Sequence, residues 1–212
     1  MLEAEAKRNE LLGKRLVENL KKRNMDAYYC ATKDEALTKA LELIPEGDVV
    51  SWGGSETLNQ IGLIEEVKKR NKVIDRATAA TVEEKQELMH QALLCDTYLM
   101  SSNAVSQDGQ LVNIDGNGNR CAALIYGPKS IVMVVGMNKV AADLDAAMSR
   151  ARNTAAPANV QHFPGIKTPC AVTGVCANCM SPETICRQFV ITRFSRVPGR
   201  IKVVFVGESL GL

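Results

Sequence analysis

The sequence predicts an α/β fold, a mainly parallel sheet flanked by helices. Three observations predict it. Short runs rich in β-branched and aromatic residues alternate with amphipathic segments of about ten to fifteen residues, the order that right-handed βαβ crossovers require. Two of the amphipathic segments open on a Thr followed three residues later by Glu, Thr32 with Glu35 and Thr81 with Glu84, which is a helix-start signature. Residues 130–135, SIVMVV, form a continuous apolar run, as a strand does when both of its faces are covered.

In chain order, residues 3–24 place Ala4, Leu12, Leu16 and Leu20 on one helical face with Lys and Arg elsewhere. This N-terminal helix, within residues 1–25, packs on the domain or on a partner subunit. Residues 27–31 (AYYCA) form a strand. Thr32 then opens a helix carrying Ala36, Leu37, Ala40, Leu41 and Ile44, and Pro45-Glu46-Gly47 breaks it. Residues 48–52 (DVVSW) form a strand followed at once by Gly53-Gly54-Ser55 and a helix over 56–70. A short strand covers 72–75, a helix runs from Thr81 to position 94, and TYLM at 97–100 is a strand. Asp108-Gly109 lies between Ala104-Val105 and Leu111-Val112 and reads as a tight hairpin. Then come a short apolar segment at 121–126 (CAALIY), the strand at 130–135, a helix over 139–152 and a last strand at 200–206 (RIKVVFV). No repeat or low-complexity linker interrupts this order. A single domain over residues 1–212 is expected, with a Cys-rich segment at 168–187.

Composition narrows the function by exclusion. A formal net charge of +2 and a pI of about 8.1 are too weak to argue for nucleic acid. Aromatics make up 4% of the chain, too few for a base-stacking platform. No apolar stretch reaches the length of a membrane span. The N-terminal sequence MLEAEAKRNELLGKRL is charged and lacks the apolar core of a signal peptide. The expected location is cytoplasmic, with the chain alone or in a homo-oligomer.

In parallel sheets ligands bind beyond the carboxyl ends of the strands. Three polar loops are expected there: Gly53, Gly54 and Ser55; Ser101 to Asn103; and Asn138-Lys139. The segment Asp115, Gly116, Asn117, Gly118, Asn119 and Arg120 joins them. Its glycines allow close approach of the backbone to a ligand, and Arg120 can pair bidentately with a carboxylate or phosphate. Gly53-Gly54-Ser55, between a strand and a helix, offers free N–H groups to an anion. It is neither a Walker A loop nor GxGxxG. A plain surface turn has the same composition. The position of the Asp115–Arg120 loop against the apolar segment 121–126 favours a small anionic metabolite instead.

The seven cysteines are an odd number in a chain without a secretion signal, which favours metal or redox use over a disulfide framework. Cys170, Cys176, Cys179 and Cys186 are spaced C-x5-C-x2-C-x6-C. The Cys176–Cys179 pair is a two-residue chelate, and Pro169, Gly174 and Pro182 let the chain turn around a centre. Four thiolates suit an iron–sulfur cluster, with zinc as the alternative. Cys30, Cys95 and Cys121 lie in apolar segments and are expected in the core. His162 precedes the Cys segment as a substitute ligand of lower merit.

Four segments resemble one family. SSNAVSQDGQLVNIDGNGNRCAALIYGPKSIVMVVGMNKV, VVSWGGSETLNQIGL, TPCAVTGVCANC with SPETIC, and VVFVGESLG closely resemble the lactate-utilisation (LUD) domain family, formerly a domain of unknown function. The resemblance implies a sheet and cleft like those of ribose-5-phosphate isomerase and CoA-transferase proteins. It also implies a part in the oxidation of a small hydroxy acid to a keto acid beside iron–sulfur redox proteins. The alternative is a metabolite-binding or regulatory module with structural zinc. An isomerase or transferase reaction, by analogy of fold alone, needs a carboxylate base or nucleophile in the cleft. Asp115 and Glu208, the latter at the end of the last strand, are the candidates.

Overall fold

The computed structural model describes residues 2–212. The first half of the chain forms α1 (Glu3–Lys22), β1 (Asp26–Cys30), α2 (Lys33–Glu42), β2 (Val49–Trp52), α3 (Glu56–Gln60), α4 (Leu63–Arg70), β3 (Lys72–Ile74), α5 (Val82–Gln91) and β4 (Thr97–Met100). The second half forms β5 (Ala104–Ser106), β6 (Leu111–Asp115), α6 (Asn119–Ile125), β7 (Ser130–Gly136), β8 (Val140–Ala141), α7 (Leu144–Arg150), α8 (Ala156–Asn159), α9 (Pro169–Thr173), β9 (Gln188–Thr192) and β10 (Ile201–Val206).

Six strands form one sheet in the order β1-β10-β7-β4-β2-β3, and every pairing in it is parallel. Successive side chains of a strand point to opposite faces, so the sheet feeds two cores. Ile131, Met133 and Val135 of β7 with Ile201, Val203 and Phe205 of β10 pack against Leu16 and Leu20 of α1 and Leu124 of α6. Val132, Val134, Val204 and Val206 pack against Ala36 and Ala40 of α2 and Leu63 and Val67 of α4. Burying each such Val or Leu contributes about 1.5–3 kcal/mol, which is why the central strands read as unbroken apolar runs. The first helix approaches β1 closely at Gly13, where a Cβ would lie 2.1 Å from the Tyr29 ring.

A second sheet, in the order β8-β5-β6-β9, sits beyond the carboxyl end of β4. The Asp108-Gly109 hairpin joins β5 and β6 in antiparallel pairing. Its apolar face, with Ala104, Val112 and Ile114, packs on Ala147 and Ala151. Both Thr–Glu helix starts form as expected. Thr32 accepts from Glu35 N at 3.2 Å and Thr81 from Glu84 N at 3.1 Å. Among the described residues no helix is long and apolar enough to cross a membrane.

The structure corrects two readings of the sequence and adds two elements that were left unassigned. The helix expected over 56–70 is two helices, because Gly62 takes a left-handed φ of 73° that halts the first and starts the second. The apolar segment 121–126 is helical up to Ile125, with Gly118 at φ 85° as the residue before the first turn. The helix expected from 139 starts at Leu144, where Asp143 accepts from Ala146 N at 2.8 Å. Val140 and Ala141 instead pair with β5, and a π-turn over Ala151–Ala155 separates α7 from α8. Finally, β9 pairs with β6 in a stretch where no strand was expected. Position 1 of the expected N-terminal helix lies outside the described residues.

Candidate functional site

The loops leaving β2, β3, β4 and β7 converge on one cleft of about 520 Å³ at the carboxyl ends of the strands. Gly54 and Ser55 follow β2, Arg76 follows β3, Ser101 to Asn103 follow β4, and Lys139 follows β7. The second sheet supplies the facing wall through Asp115, Gly116 and Asn117, while Asn119 and Arg120 come from the first turn of α6. Two glycines make room for two arginines. A Cβ at Gly53 would lie 2.9 Å from Arg120 Cδ, and one at Gly54 would lie 2.9 Å from Arg76 Nη2.

Arg120 has its guanidinium turned into the protein. Nη1 donates to Ser101 O at 3.3 Å and Asn113 Oδ1 at 2.5 Å. Nη2 donates to Asn103 Oδ1 at 3.0 Å and Ile114 O at 2.5 Å. A guanidinium has five N–H donors; four of these contacts tie β4, β6 and α6 together. Nε faces Asp115 Oδ2 at 4.0 Å. Asp115 also accepts from Gly118 N and Cys121 N, each at 3.1 Å, and so caps the first turn of α6. Asn103 accepts from Ile114 N through the same Oδ1 that Arg120 uses. These polar residues build the wall as well as line it.

Other residues singled out from the sequence stand behind the cleft. Glu208 accepts from Lys33 N at 3.0 Å, at the start of α2, and is not among the lining residues. Asn138 accepts from Leu210 N at 3.0 Å and donates to Gly211 O at 3.3 Å, holding the segment after β10. Gly53 and Gly118 also lie outside the lining. Ser55 lines it, but its hydroxyl accepts from Leu58 N as the cap of α3.

The cleft contains cations that sequence reasoning missed. Arg76, Lys85 and Arg187 line it with Arg120 and Lys139, against the carboxylates Glu56, Asp115 and Glu183. Arg76 stands at the carboxyl end of β3, so the strand-end rule applied to that strand would have found it. Lys85 on α5 and Arg187 before β9 carry no comparable signal. His162 lines the cleft rather than the cysteine cavity.

Lys139 is 4% exposed. Its Nζ donates to Thr57 Oγ1 at 2.9 Å and Ser101 Oγ at 3.1 Å. Burial, then Arg150 and Arg120, pull its pKa down to about 7.

Beside the cleft, Cys170, Cys176, Cys179 and Cys186 line one cavity of about 110 Å³. Gly174, with φ 72°, ends α9 after Cys170. Asn178 has φ 49°, a left-handed conformation that Asn tolerates, and it turns the chain between Cys176 and Cys179. Arg152 fixes that turn by donating to Asn178 Oδ1 at 2.6 Å. Burial, then Cys170, Cys176 and Cys179, push the Cys186 thiol up to about 11. All four thiols are free. Among the described residues no three His, Cys, Asp or Glu are already grouped as a metal site, yet a donor set of four thiols on one turn-rich cavity fits a thiolate-held centre. Cys30, Cys95 and Cys121 are buried in the cores. The two cavities share a wall, because Thr184 and Ile185 line both.

The model of the LUD domain family matches residues 13–206. A DUF162 family protein from Deinococcus radiodurans, DUF162 being the former name of that domain, has the same fold. The TM-score is 0.54 at 10% identity over 93% of this chain and 97% of that one. Ribose 5 phosphate isomerase A from Neisseria gonorrhoeae aligns over 54% of this chain and 56% of its own, at 20% identity and a TM-score of 0.34, too low to bear on the fold. No curated protein matches. With every strand of both sheets, the cleft loops and the cysteine segment inside the matched span, the chain belongs to the LUD domain family.

Proposed function

We propose that the protein is a component of a lactate-utilisation-type redox system acting on a small hydroxy or keto acid. The cleft takes the acid as an anion, and the cysteine cavity holds an iron–sulfur cluster that exchanges electrons with a redox protein partner. The observation that carries this reading is the shared wall. Thr184 and Ile185 line both the cationic cleft and the cavity of Cys170, Cys176, Cys179 and Cys186, so one layer of residues separates metabolite from thiolates. A cluster bound there would supply one-electron chemistry. Family membership supports the hydroxy-acid class. The lining cations Arg76, Lys85 and Arg187 support a carboxylate ligand, since clustered charge in a cleft raises local anion concentration.

A second reading is a metabolite-binding or regulatory module with structural zinc. It is favoured by the Asn178 turn between Cys176 and Cys179, which suits a two-residue zinc chelate as well as a cluster. Anaerobic purification with iron, zinc and sulfide analysis separates the two. The redox reading expects iron and sulfide, with visible absorbance that bleaches on reduction and is lost in Cys176→Ser. Zinc without sulfide transfers the cavity to the second reading, and neither metal above trace overturns both assignments of the four cysteines.

A further inference from the structure

We propose that Lys139 Nζ is a nucleophile that captures the carbonyl of a 2-keto acid in the cleft as an imine. The proposal rests on the keto-acid reading above and names what that acid meets. The placement argues for it. Lys139 follows the carboxyl end of the central strand β7 and lines the cleft, yet it is 4% exposed. Its two hydrogen-bond partners are the hydroxyls of Thr57 and Ser101. Among the described residues it forms no ion pair, unlike the surface lysines Lys14, Lys39 and Lys69. The charged groups that act on it are Arg150 of α7 and Arg120 of α6, both cations. A lysine that is desolvated and set beside other cations is the type that works as a Schiff-base nucleophile, because its neutral form carries the lone pair. The low pKa reported above agrees with that geometry.

The step balances without an added oxidant or reductant. The Nζ lone pair forms a C–N bond to the keto carbon as the carbonyl π bond breaks. One N–H proton passes to the oxygen, giving a carbinolamine, and Ser101 Oγ at 3.1 Å is placed to relay it. The hydroxyl then leaves with the second N–H proton as water, and the C=N bond is complete. Arg76 and Arg187, lining the same cleft, are the cations available to the substrate carboxylate. Thr57 and Ser101 orient the amine, which is a positioning role.

The test uses the full chain with pyruvate and sodium cyanoborohydride, read by intact mass and peptide mapping, with calorimetry of pyruvate binding in parallel. The expected result is one reduced pyruvate adduct per chain, mapped to Lys139. Its rate should rise as pH passes about 7 and level off above. Lys139→Met and Lys139→Arg should both lose the adduct, and the second keeps the charge. A buried lysine that only braces the loops would give no adduct. If the variants fail to fold, peptide mapping of the wild-type protein decides the matter alone. Pyruvate binding without an adduct at Lys139 overturns this inference and leaves the keto-acid reading intact. Neither binding nor adduct overturns both.

Discussion

Arg120 Nη1 donates to Asn113 Oδ1 at 2.5 Å, and this bond joins the first turn of α6 to the middle of β6. The arginine is a strut of the cleft wall. Arg120→Ala would leave Asn113 Oδ1 and the carbonyls of Ser101 and Ile114 without their charged donor. Bonds to a charged donor each contribute about 1.5–3 kcal/mol. Arg120→Ala should lower unfolding stability by at least about 3 kcal/mol in urea titration. A variant that melts like wild type while losing metabolite affinity would return Arg120 to the ligand.

Arg76 is the better candidate for the anion. Its one hydrogen bond among the described residues is a 3.9 Å contact to the Met89 sulfur, so most of its donors are available to the cleft. Arg76→Ala should weaken pyruvate or lactate binding by about tenfold, or about 1.4 kcal/mol, and flatten its dependence on salt. Calorimetry at two ionic strengths reads both effects, with Lys14→Ala on α1 as the comparison. Equal loss in the two variants would show that only overall charge matters.

Asp115 tests capping against catalysis. Its carboxylate accepts from Gly118 N and Cys121 N, the N–H groups at the start of α6. Asp115→Ala should cost about 1–2 kcal/mol, the usual loss for a removed helix cap, and should raise hydrogen exchange in the first turn of α6. Asp115→Asn should recover only part of it, because the two N–H groups bond different carboxylate oxygens and an amide offers one acceptor. If Asp115→Asn folds as wild type and abolishes turnover of a cleft substrate, the carboxylate has a chemical role beyond the cap.

What the sequence made legible follows from how local each signal is. The parallel strands were readable because both faces are covered, so SIVMVV at β7 is apolar throughout. The strand-end rule led to Ser55, Ser101 and Lys139 for the same reason. By contrast, β9 alternates half-buried and exposed residues, with Phe189 and Ile191 outward, and only its distant pairing with β6 makes it a strand. The role of Arg120 was hidden too. A guanidinium in an Asn/Gly loop looks free until the fold brings Ser101 O, Asn103 and Ile114 O around it. The partner Thr57 of Lys139 lies 82 positions away, so the residue was visible and its burial was not.

That burial makes Lys139 a measurable cost to stability. Its pKa is about 7 in the folded protein against an ordinary value of 10.5. Between those two pH values the unfolded chain holds a proton that the folded chain does not. Stability must therefore rise with pH across that window, by about 1.4 kcal/mol per pH unit from this one group. Below pH 7 both states are protonated and the cost stays at its maximum; above 10.5 both are neutral and it vanishes. Lys139→Met removes the titration and fills similar space. It leaves the Thr57 and Ser101 hydroxyls without their donor, a loss that does not vary with pH. The variant should therefore gain most relative to wild type at or below pH 7, and the gain should shrink at each step from pH 7 to pH 9. Urea unfolding of both proteins at pH 6, 7, 8 and 9 measures the difference, in which the shared titrations of other groups cancel. A difference that stays constant across that range would place the Lys139 pKa outside it and remove the neutral amine from the cleft.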